Sequence, residues 1–276
     1  MPDDQVPDDR PEWLTRRAPE PDGASAPHHA PEPDLAPARG VPHPGRPVVT
    51  LALLAVNAVM LLVEAASSGG VAGLLEPTNQ ALCRLGALNA AAIAESGQYW
   101  RLFTVMVLHA GVIHFALNSY ALYIFGPQLE YLLGRARYLA IYVGAGFVGA
   151  AASFAFGRSV LGVGASGAIF GLLGAMVAFF FRRRRIIGTA PLRNVLFIVA
   201  INLFLATQIA NIDNTAHIGG FAGGLVGMAL FDAVPADRGR LRNLALAAPF
   251  LVGIALTAYG VATFPAGTGQ LTCAGV

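Results

Sequence analysis

Seven long apolar runs constrain the fold of this chain more than any other feature of its sequence. Each run approaches the length of about 20 residues that a helix needs to cross a bilayer. The runs cover roughly residues 48–66, 104–125, 138–157, 165–181, 192–210, 215–233 and 243–264. The chain is 55% hydrophobic and only 12% charged, and its mean hydropathy is +0.58. We therefore predict an all-α polytopic membrane protein and exclude a soluble globular domain.

The distribution of arginine predicts the orientation in the membrane. All 18 basic residues are arginines, and cytoplasmic loops of membrane proteins are enriched in basic residues. If the N-terminus is cytoplasmic, seven spans leave only Arg84, Arg101 and Arg158 on the outer side. We therefore predict a multi-pass protein with a cytoplasmic N-terminus and an outer C-terminus, most consistent with the plasma membrane of a bacterium.

The segments outside the spans differ in character. Residues 1–46 are rich in Pro, Ala, Asp and Glu, which predicts a disordered cytoplasmic tail and not a signal peptide. Residues 67–103 form the longest connection and end in Tyr99, Trp100 and Arg101, a group suited to the membrane interface. We expect short helices there, on or partly in the outer leaflet. No basic block is interleaved with aromatic residues, so nucleic acid is not an expected partner.

Polar residues inside the apolar runs are the first candidates for function, because such groups are costly in a membrane. The second run contains His109, His114 and Asn118, the fourth begins near Ser166, and the sixth contains His217 near its start. His114 and Asn118 are four residues apart, so they share one helix face. With the predicted topology, the last four of these residues lie at similar depth near the outer face.

Two glycine faces favour close packing of the fourth and sixth spans. Small residues at helical spacing allow membrane helices to approach closely. The glycines of these faces are Gly167, Gly171 and Gly174 on the fourth span, and Gly220, Gly224 and Gly227 on the sixth. Packing alone is the simpler explanation of the glycines. It does not explain why Ser166 and His217 lie at the matching ends of both faces.

The same residues fit nucleophilic catalysis. Serine needs a base within hydrogen-bond reach, and His217 could accept the proton of Ser166. His114, Asn118 and the backbone N–H of Ser166 could donate to an oxyanion. Asp213 could orient His217, but we expect that it or the asparagine after it caps the sixth helix. The competing interpretation is that Ser166 is only a small packing residue at a helix end.

The sequence resembles the rhomboid family of intramembrane serine proteases over about residues 48–233. The family motifs occur in the expected order and on the expected helices. They are Trp100-Arg101, the HxxxN pair His114 and Asn118, the ExxxG pair Glu130 and Gly134, the GxSG segment Gly164–Gly167, and the AHxxG…G segment Ala216–Gly224.

The resemblance implies a six-helix core with a cavity open to the outside, followed by one extra C-terminal transmembrane helix. The chain would then divide into a tail at 1–46, a catalytic core at 47–235, and the seventh helix with its outer tail at 236–276. A substrate's transmembrane segment would enter past the fifth helix and be cleaved near the outer face. The expected partners are transmembrane protein substrates and the lipid bilayer, and no metal or cofactor is expected.

The resemblance also implies residue roles. Ser166 and His217 would form the catalytic dyad, and Phe170 would stack on the histidine where some bacterial members have tyrosine. His114, Asn118 and Gly164 would form the oxyanion and substrate site. Structural roles fall to Trp100, Arg101, Glu130, Gly220 and Gly224.

Two other functions compete with an endopeptidase. An inactive relative could hold membrane clients without cutting them, but such relatives typically lack the serine or the histidine. An ion or proton transporter would need ionisable residues through the full membrane depth. Here the polar residues cluster at the outer end.

Cys83 and Cys273 are the only cysteines, and their spacing is not that of a metal site. The predicted topology puts both on the outer side, where disulfides form. We hypothesise that a disulfide ties the tail after the seventh span to the first outer loop. The alternative is two unpaired thiols in mobile segments.

Overall fold

A computed structural model describes residues 45–157, 161–208, 212–265 and Cys273. The predicted disordered tail lies outside these described residues, apart from Gly45 and Arg46. The α-helices of the described part are α1 Val48–Ser67, α2 Val71–Leu75, α3 Asn79–Leu85, α4 Ala90–Ser96, α5 Arg101–Thr104, α6 Val112–Leu133, α7 Arg135–Ala152, α8 Ser166–Ile187, α9 Ala190–Gln208, α10 Asn214–Ala233, α11 Gly239–Ala245 and α12 Ala248–Ala262. A 3₁₀ turn, Val105–Val107, follows α5, and a π-helical turn, Ser153–Gly157, extends α7.

The prediction of an all-α membrane protein is confirmed. Among the described residues the only β-type pairing is a single bridge between Leu88 and Gly162. Six helical segments are long and apolar enough to cross a membrane, namely α1, α7 with its π-helical turn, α8, α9, α10, and α11 taken with α12. The bent pair Arg101–Val107 and Val112–Leu133 supplies a seventh span if it is counted as one.

The predicted bounds of the second span were wrong. The apolar run 104–125 suggested one continuous helix, but α6 begins at Val112 and its axis makes an angle of 89° with the preceding segment. Leu102 and Leu108 are buried in the protein, so they belong to the loop that covers the bundle. Gly111 permits the break, because its φ of +106° is a conformation that side chains with a β-carbon rarely adopt.

Two further spans also differ from their apolar runs. The fourth run ends at Phe181, but α8 continues through four arginines to Ile187, because arginine is a good helix former. The seventh run, 243–264, is divided between α11 and α12. Pro249 lies in the first turn of α12, a position where the missing N–H of proline is tolerated, and it marks a new helix start.

The helix α8 lies at the centre of the bundle and packs against α7 and α10. Its contact with α10 is made through glycine. A β-carbon on Gly220 would lie 2.8 Å from the carbonyl carbon of Gly167, and one on Gly224 would lie 2.5 Å from that of Gly171. The two predicted glycine faces therefore meet backbone to backbone, which brings the starts of α8 and α10 together. Gly227 was wrongly included in the face, because a β-carbon there would meet Pro249 of α12 at 2.9 Å.

Glu130 links α6 to the start of α1. Its carboxylate accepts hydrogen bonds from the backbone N–H groups of Val49 and Thr50 at 2.9 and 2.8 Å, and from the Thr50 hydroxyl at 2.8 Å. The first N–H groups of a helix have no partner within the helix, and a negative charge there is favourable. Glu130 thus caps α1 from a neighbouring helix.

Arg101 and Trp100 hold the loop between α1 and α6. The buried Arg101 guanidinium donates to the carbonyl oxygens of Cys83 and Ala87 at 2.9 and 2.8 Å, and it lies 4.8 Å from the centre of the Trp100 ring. These bonds satisfy the carbonyls at the end of α3. The loop is therefore a folded cap of short helices, as the sequence predicts.

The structure joins Cys83 to Cys273 by a disulfide, with their Cα atoms 5.3 Å apart. The bridge lies beside Ala92 and Leu161, so it ties the chain after α12 to the loop helices. It closes a sequence separation of 190 residues.

Maleimide labelling of denatured protein is expected to modify neither cysteine before reduction and both after it. Because the closed loop is long, reduction should lower the free energy of unfolding by up to about 5 kcal/mol in the chain-entropy treatment. The double variant Cys83→Ser/Cys273→Ser should show a similar loss of stability and no further change when a reductant is added. Two reactive thiols in protein kept under oxidising conditions would refute the bridge.

Candidate active site

Ser166 and His217 are in hydrogen-bond contact. The distance from His217 Nε2 to Ser166 Oγ is 2.8 Å. Ser166 is the first residue of α8, and His217 lies in the first turn of α10, so both side chains sit at one end of the bundle. His217 is 7% exposed and Ser166 is half-buried. The pair has the geometry of a nucleophile beside its general base.

Phe170 fixes the plane of the histidine ring. Its ring lies 4.4 Å from the His217 ring, centre to centre, with an angle of 10° between the planes. Phe170 is one turn after Ser166 on α8, so the helix that carries the serine also orients the base. The stacking needs an aromatic face and not a hydroxyl, which explains how phenylalanine fits here.

Gly164 brings His114 close to Ser166. The φ of Gly164 is +130°, and its N–H donates to the Val105 carbonyl at 2.9 Å. A β-carbon on Gly164 would lie 2.8 Å from Cε1 and 2.9 Å from Nε2 of His114. Only glycine therefore leaves room for the imidazole beside the serine loop.

The hydrogen bond of the other ring nitrogen assigns the tautomer of His114. Its Nδ1 accepts from the backbone N–H of Ala110 at 3.2 Å. A neutral imidazole that accepts at Nδ1 carries its proton on Nε2. The atom that faces Gly164 is thus a hydrogen-bond donor, which is what an oxyanion site requires.

Asn118 presents a second unused donor. It lies one turn after His114 on α6 and is 6% exposed, and its side-chain nitrogen has no hydrogen-bond partner among the described residues. Buried polar groups normally find partners, so an unpaired amide nitrogen one turn from His114 is a candidate for binding substrate. The first turn of α8 adds the backbone N–H of Ser166, because such groups lack acceptors within the helix.

Asp213 holds the start of α10 and does not act as a third member of the pair. One carboxylate oxygen accepts from the Ala216 N–H at 3.0 Å, which confirms Asp213 as the N-cap. The other accepts from the hydroxyl of Ser153 at the end of α7. Both oxygens are therefore engaged in fixing α10, and Nδ1 of His217 has no hydrogen-bond partner in the described part of the chain.

Sequence reasoning missed Glu64 and Asn57 on α1. Both are fully buried, and Glu64 accepts the backbone N–H of His109 at 2.8 Å. The His109 ring in turn lies 5.5 Å from that of His114, edge to face. Glu64 therefore supports the segment that leads into the site. The sequence feature that could have identified them is the presence of an acid and an amide inside the first apolar run.

The fold and the site define a class of protein: a polytopic helical membrane protein with a serine and a histidine paired at one end of the bundle. Among the described residues, no group of His, Cys, Asp and Glu could hold a metal ion. The family described as "Rhomboid domain" matches residues 96–233. The chain belongs to the rhomboid family of intramembrane proteases.

Three similar proteins illustrate the family. Rhomboid protease GluP of Bacillus subtilis (strain 168) is 34% identical over 212 residues, which are 77% of this chain and 40% of the relative. RHOMBOID-like protein 1 of Arabidopsis thaliana is 40% identical over 155 residues, or 55% of this chain and 40% of that protein. Putative rhomboid protease YdcA of Bacillus subtilis (strain 168) is 36% identical over 132 residues, or 48% of this chain and 66% of the relative. The chain thus spans about 40% of the length of the first two.

Proposed function

We propose that this protein is a serine endopeptidase that cleaves transmembrane segments of membrane proteins near the outer face of the membrane. The observation that carries the proposal is the hydrogen bond of 2.8 Å between His217 Nε2 and Ser166 Oγ at the end of a membrane-spanning bundle. Family membership supports peptide-bond hydrolysis within the bilayer as the reaction class.

The first half of the reaction forms an acyl-enzyme. Ser166 Oγ bonds to the carbonyl carbon of the scissile peptide while His217 Nε2 takes the hydroxyl proton. The carbonyl oxygen becomes an oxyanion in a tetrahedral intermediate. Collapse of this intermediate breaks the C–N bond, and His217 gives the proton to the departing nitrogen. The acyl group remains on Ser166 as an ester.

The second half releases the acyl group. A water molecule attacks the ester carbon, and its proton passes to His217. Collapse of the second tetrahedral intermediate breaks the bond to Ser166 Oγ, which recovers its proton from the histidine. Stacking on Phe170 keeps the imidazole in one plane through both transfers, so each proton moves over a short, constant distance.

Stabilisation of the oxyanion falls to three donors: the Nε2–H of His114, the side-chain amide of Asn118 and the backbone N–H of Ser166. In this proposal the donors are oriented before substrate binds, so no rearrangement is needed as charge develops. The half-buried His114 and Ser166 leave the site open at one end of the bundle, which supports access for water.

The proposed substrate is a transmembrane segment that enters from the side, past α9. Only 17% of α9 is buried within the bundle, compared with 61% of α8, so α9 is the more loosely held. The proposed orientation has a cytoplasmic N-terminus and an outer C-terminus in a bacterial plasma membrane. This orientation is inferred from the arginines, which are enriched on the cytoplasmic side of membrane proteins. The helices α8 and α10 start at the site and end near Arg182–Arg185 and Arg238–Arg242, so the site lies at the opposite, outer end.

A fluorophosphonate probe tests the proposal directly. Purified protein in detergent should be labelled covalently, and peptide mapping should locate the label on Ser166, because only an activated serine reacts. Ser96→Ala, at an exposed residue away from the site, should label like the parent protein. Absence of labelling in folded protein would favour the alternative, a relative that binds membrane clients without cutting them.

Asn118→Ala is expected to lower turnover by about 10²–10³-fold, the usual cost of removing one oxyanion donor. The variant should still react with the fluorophosphonate, more slowly, because Ser166 and His217 remain. Asn79→Ala, at an exposed residue at the start of α3, is the matched control and should keep full turnover. Unchanged turnover in Asn118→Ala would mean that this amide serves only helix packing.

A further inference from the structure

A groove lies between α8 and α10 at the end of the bundle opposite Ser166. Its volume is about 720 Å³. Its floor is apolar, formed by Val177, Phe181, Leu225 and Ala229. Because α8 has 22 residues, this end lies about 30 Å from the serine, close to the thickness of the hydrocarbon core. The groove therefore opens near the headgroups of the leaflet opposite the active site.

The rim of the groove carries positive charge that no acid of the described part of the chain neutralises. Arg182, Arg184 and Arg185 line it, and no carboxylate forms a salt bridge with any of the three in the described part of the chain. The single acid of the groove, Asp232, is already paired. It accepts from Arg183 at 2.5 and 3.2 Å, with Arg242 3.7 Å away.

Arg184 is held at the rim and does not extend into solvent. Its guanidinium lies 3.9 Å from the centre of the Phe181 ring and donates to the Phe181 carbonyl oxygen at 2.6 Å. Phe181 itself is 54% exposed. Arg184 and Phe181 therefore place a positive charge and an apolar surface next to each other. An arginine whose guanidinium was surrounded by water would not provide this combination.

We propose that this groove is a binding site for an anionic phospholipid. The phosphate of the headgroup binds Arg182, Arg184 and Arg185, since guanidinium groups match phosphate oxygens with paired hydrogen bonds. An acyl chain lies along Val177, Leu225 and Ala229. A neutral lipid could fill the apolar floor but would leave the rim charges unmatched, so the site selects for negative charge.

The expected consequence is stabilisation of the bundle. The groove is formed by α8 and α10, which carry Ser166 and His217 at their other ends. A lipid bound to both helices holds them together, and a ligand that binds only the folded state raises the melting temperature. Because the groove lies at the end of the bundle opposite Ser166, it is separate from the catalytic residues. The test of this proposal therefore does not depend on peptidase activity.

The experiment uses the full-length protein in a neutral maltoside detergent, with dioleoylphosphatidylglycerol or dioleoylphosphatidylcholine added at increasing mole fraction. Melting temperature and lipid retained in native mass spectrometry are the readouts. Phosphatidylglycerol should raise the melting temperature and remain bound, and phosphatidylcholine should do so much more weakly. The deacylated headgroup, glycerophosphoglycerol, should have no effect, because it cannot use the apolar floor.

The variant Arg182→Gln/Arg185→Gln removes two exposed rim charges that make no salt bridge with any described residue. It should bind phosphatidylglycerol about 25-fold more weakly, at about fivefold for each arginine. Arg238→Gln/Arg240→Gln is the matched control, since it removes two exposed charges at the same end of the bundle but outside the groove.

Three outcomes would overturn the proposal. Equal stabilisation by both lipids would show that the groove binds only acyl chains and does not select for a negative headgroup. An effect of glycerophosphoglycerol as large as that of the intact lipid would make it a site for soluble phosphates. An equal loss of binding in the two double variants would show that net charge, and not this groove, attracts the lipid.

Discussion

Replacing Ser166 with alanine is expected to lower the cleavage of a transmembrane test substrate by about 10⁴-fold or more, and His217→Ala is expected to do the same. In the proposed mechanism the serine supplies the atom that bonds to the scissile carbonyl. Among the described residues, the histidine is the only base in hydrogen-bond contact with it. Each variant therefore removes the same covalent step.

The two losses should not add. Because Ser166 and His217 act as one unit, the double variant should be no slower than either single variant. Cleavage of a fluorescent transmembrane peptide in proteoliposomes measures the rate, and the melting temperature establishes that each variant is folded. Ser96→Ala provides the control. Substantial cleavage by folded Ser166→Ala protein would rule out the dyad.

Gly224→Val is expected to lose both activity and thermal stability. A β-carbon at this position would overlap the carbonyl oxygen of Gly171, so α10 must move away from α8 or the local backbone must distort. Overpacking of this kind typically costs about 1–3 kcal/mol, occasionally more. A displacement of about 1 Å between His217 and Ser166 can reduce the rate by about 10²-fold.

Gly239→Val is the matched control for this prediction. It makes the same chemical change at the start of α11, where a β-carbon would meet no other part of the described chain within 4 Å beyond its own helix and neighbours. Melting temperature and peptide cleavage should both stay close to the values of the parent protein. If Gly224→Val kept full activity, the glycine face could not be what sets the distance between α8 and α10.

Local sequence was sufficient to predict the helices and many of their ends. Apolar runs of membrane length specify helices because their residues interact mainly with neighbours in the chain and with lipid. A cap on α10 by Asp213 or by the asparagine after it could be predicted for the same reason, since capping depends on the next three residues, and Asp213 is the one that caps. The helical spacing of Gly167 and Gly171 likewise predicted a face for close packing before any partner was known.

Local sequence was not sufficient where contacts between residues distant in the chain determine the structure. The run 104–125 read as one span, but its first residues became part of the loop that covers the bundle, and Gly111 provided the break. Sequence reasoning missed Glu64, whose role depends on the packing of α1 against the segment that contains His109. In both cases the outcome depended on burial by elements that are distant in the chain. The hydrophobic periodicity of a segment carries no information about such burial.

The sequence alone determined which chemical groups this protein has: a serine at a helix start, histidines and an asparagine at the same depth, and glycines at helical spacing. The tertiary structure decided their distances and proton positions. The contact between Ser166 and His217 depends on α8 and α10 meeting through glycine, and the Nε2 proton of His114 depends on a bond from Ala110. Spacing along a chain specifies which face a side chain shares, whereas hydrogen-bond lengths and tautomers follow only from packing in three dimensions.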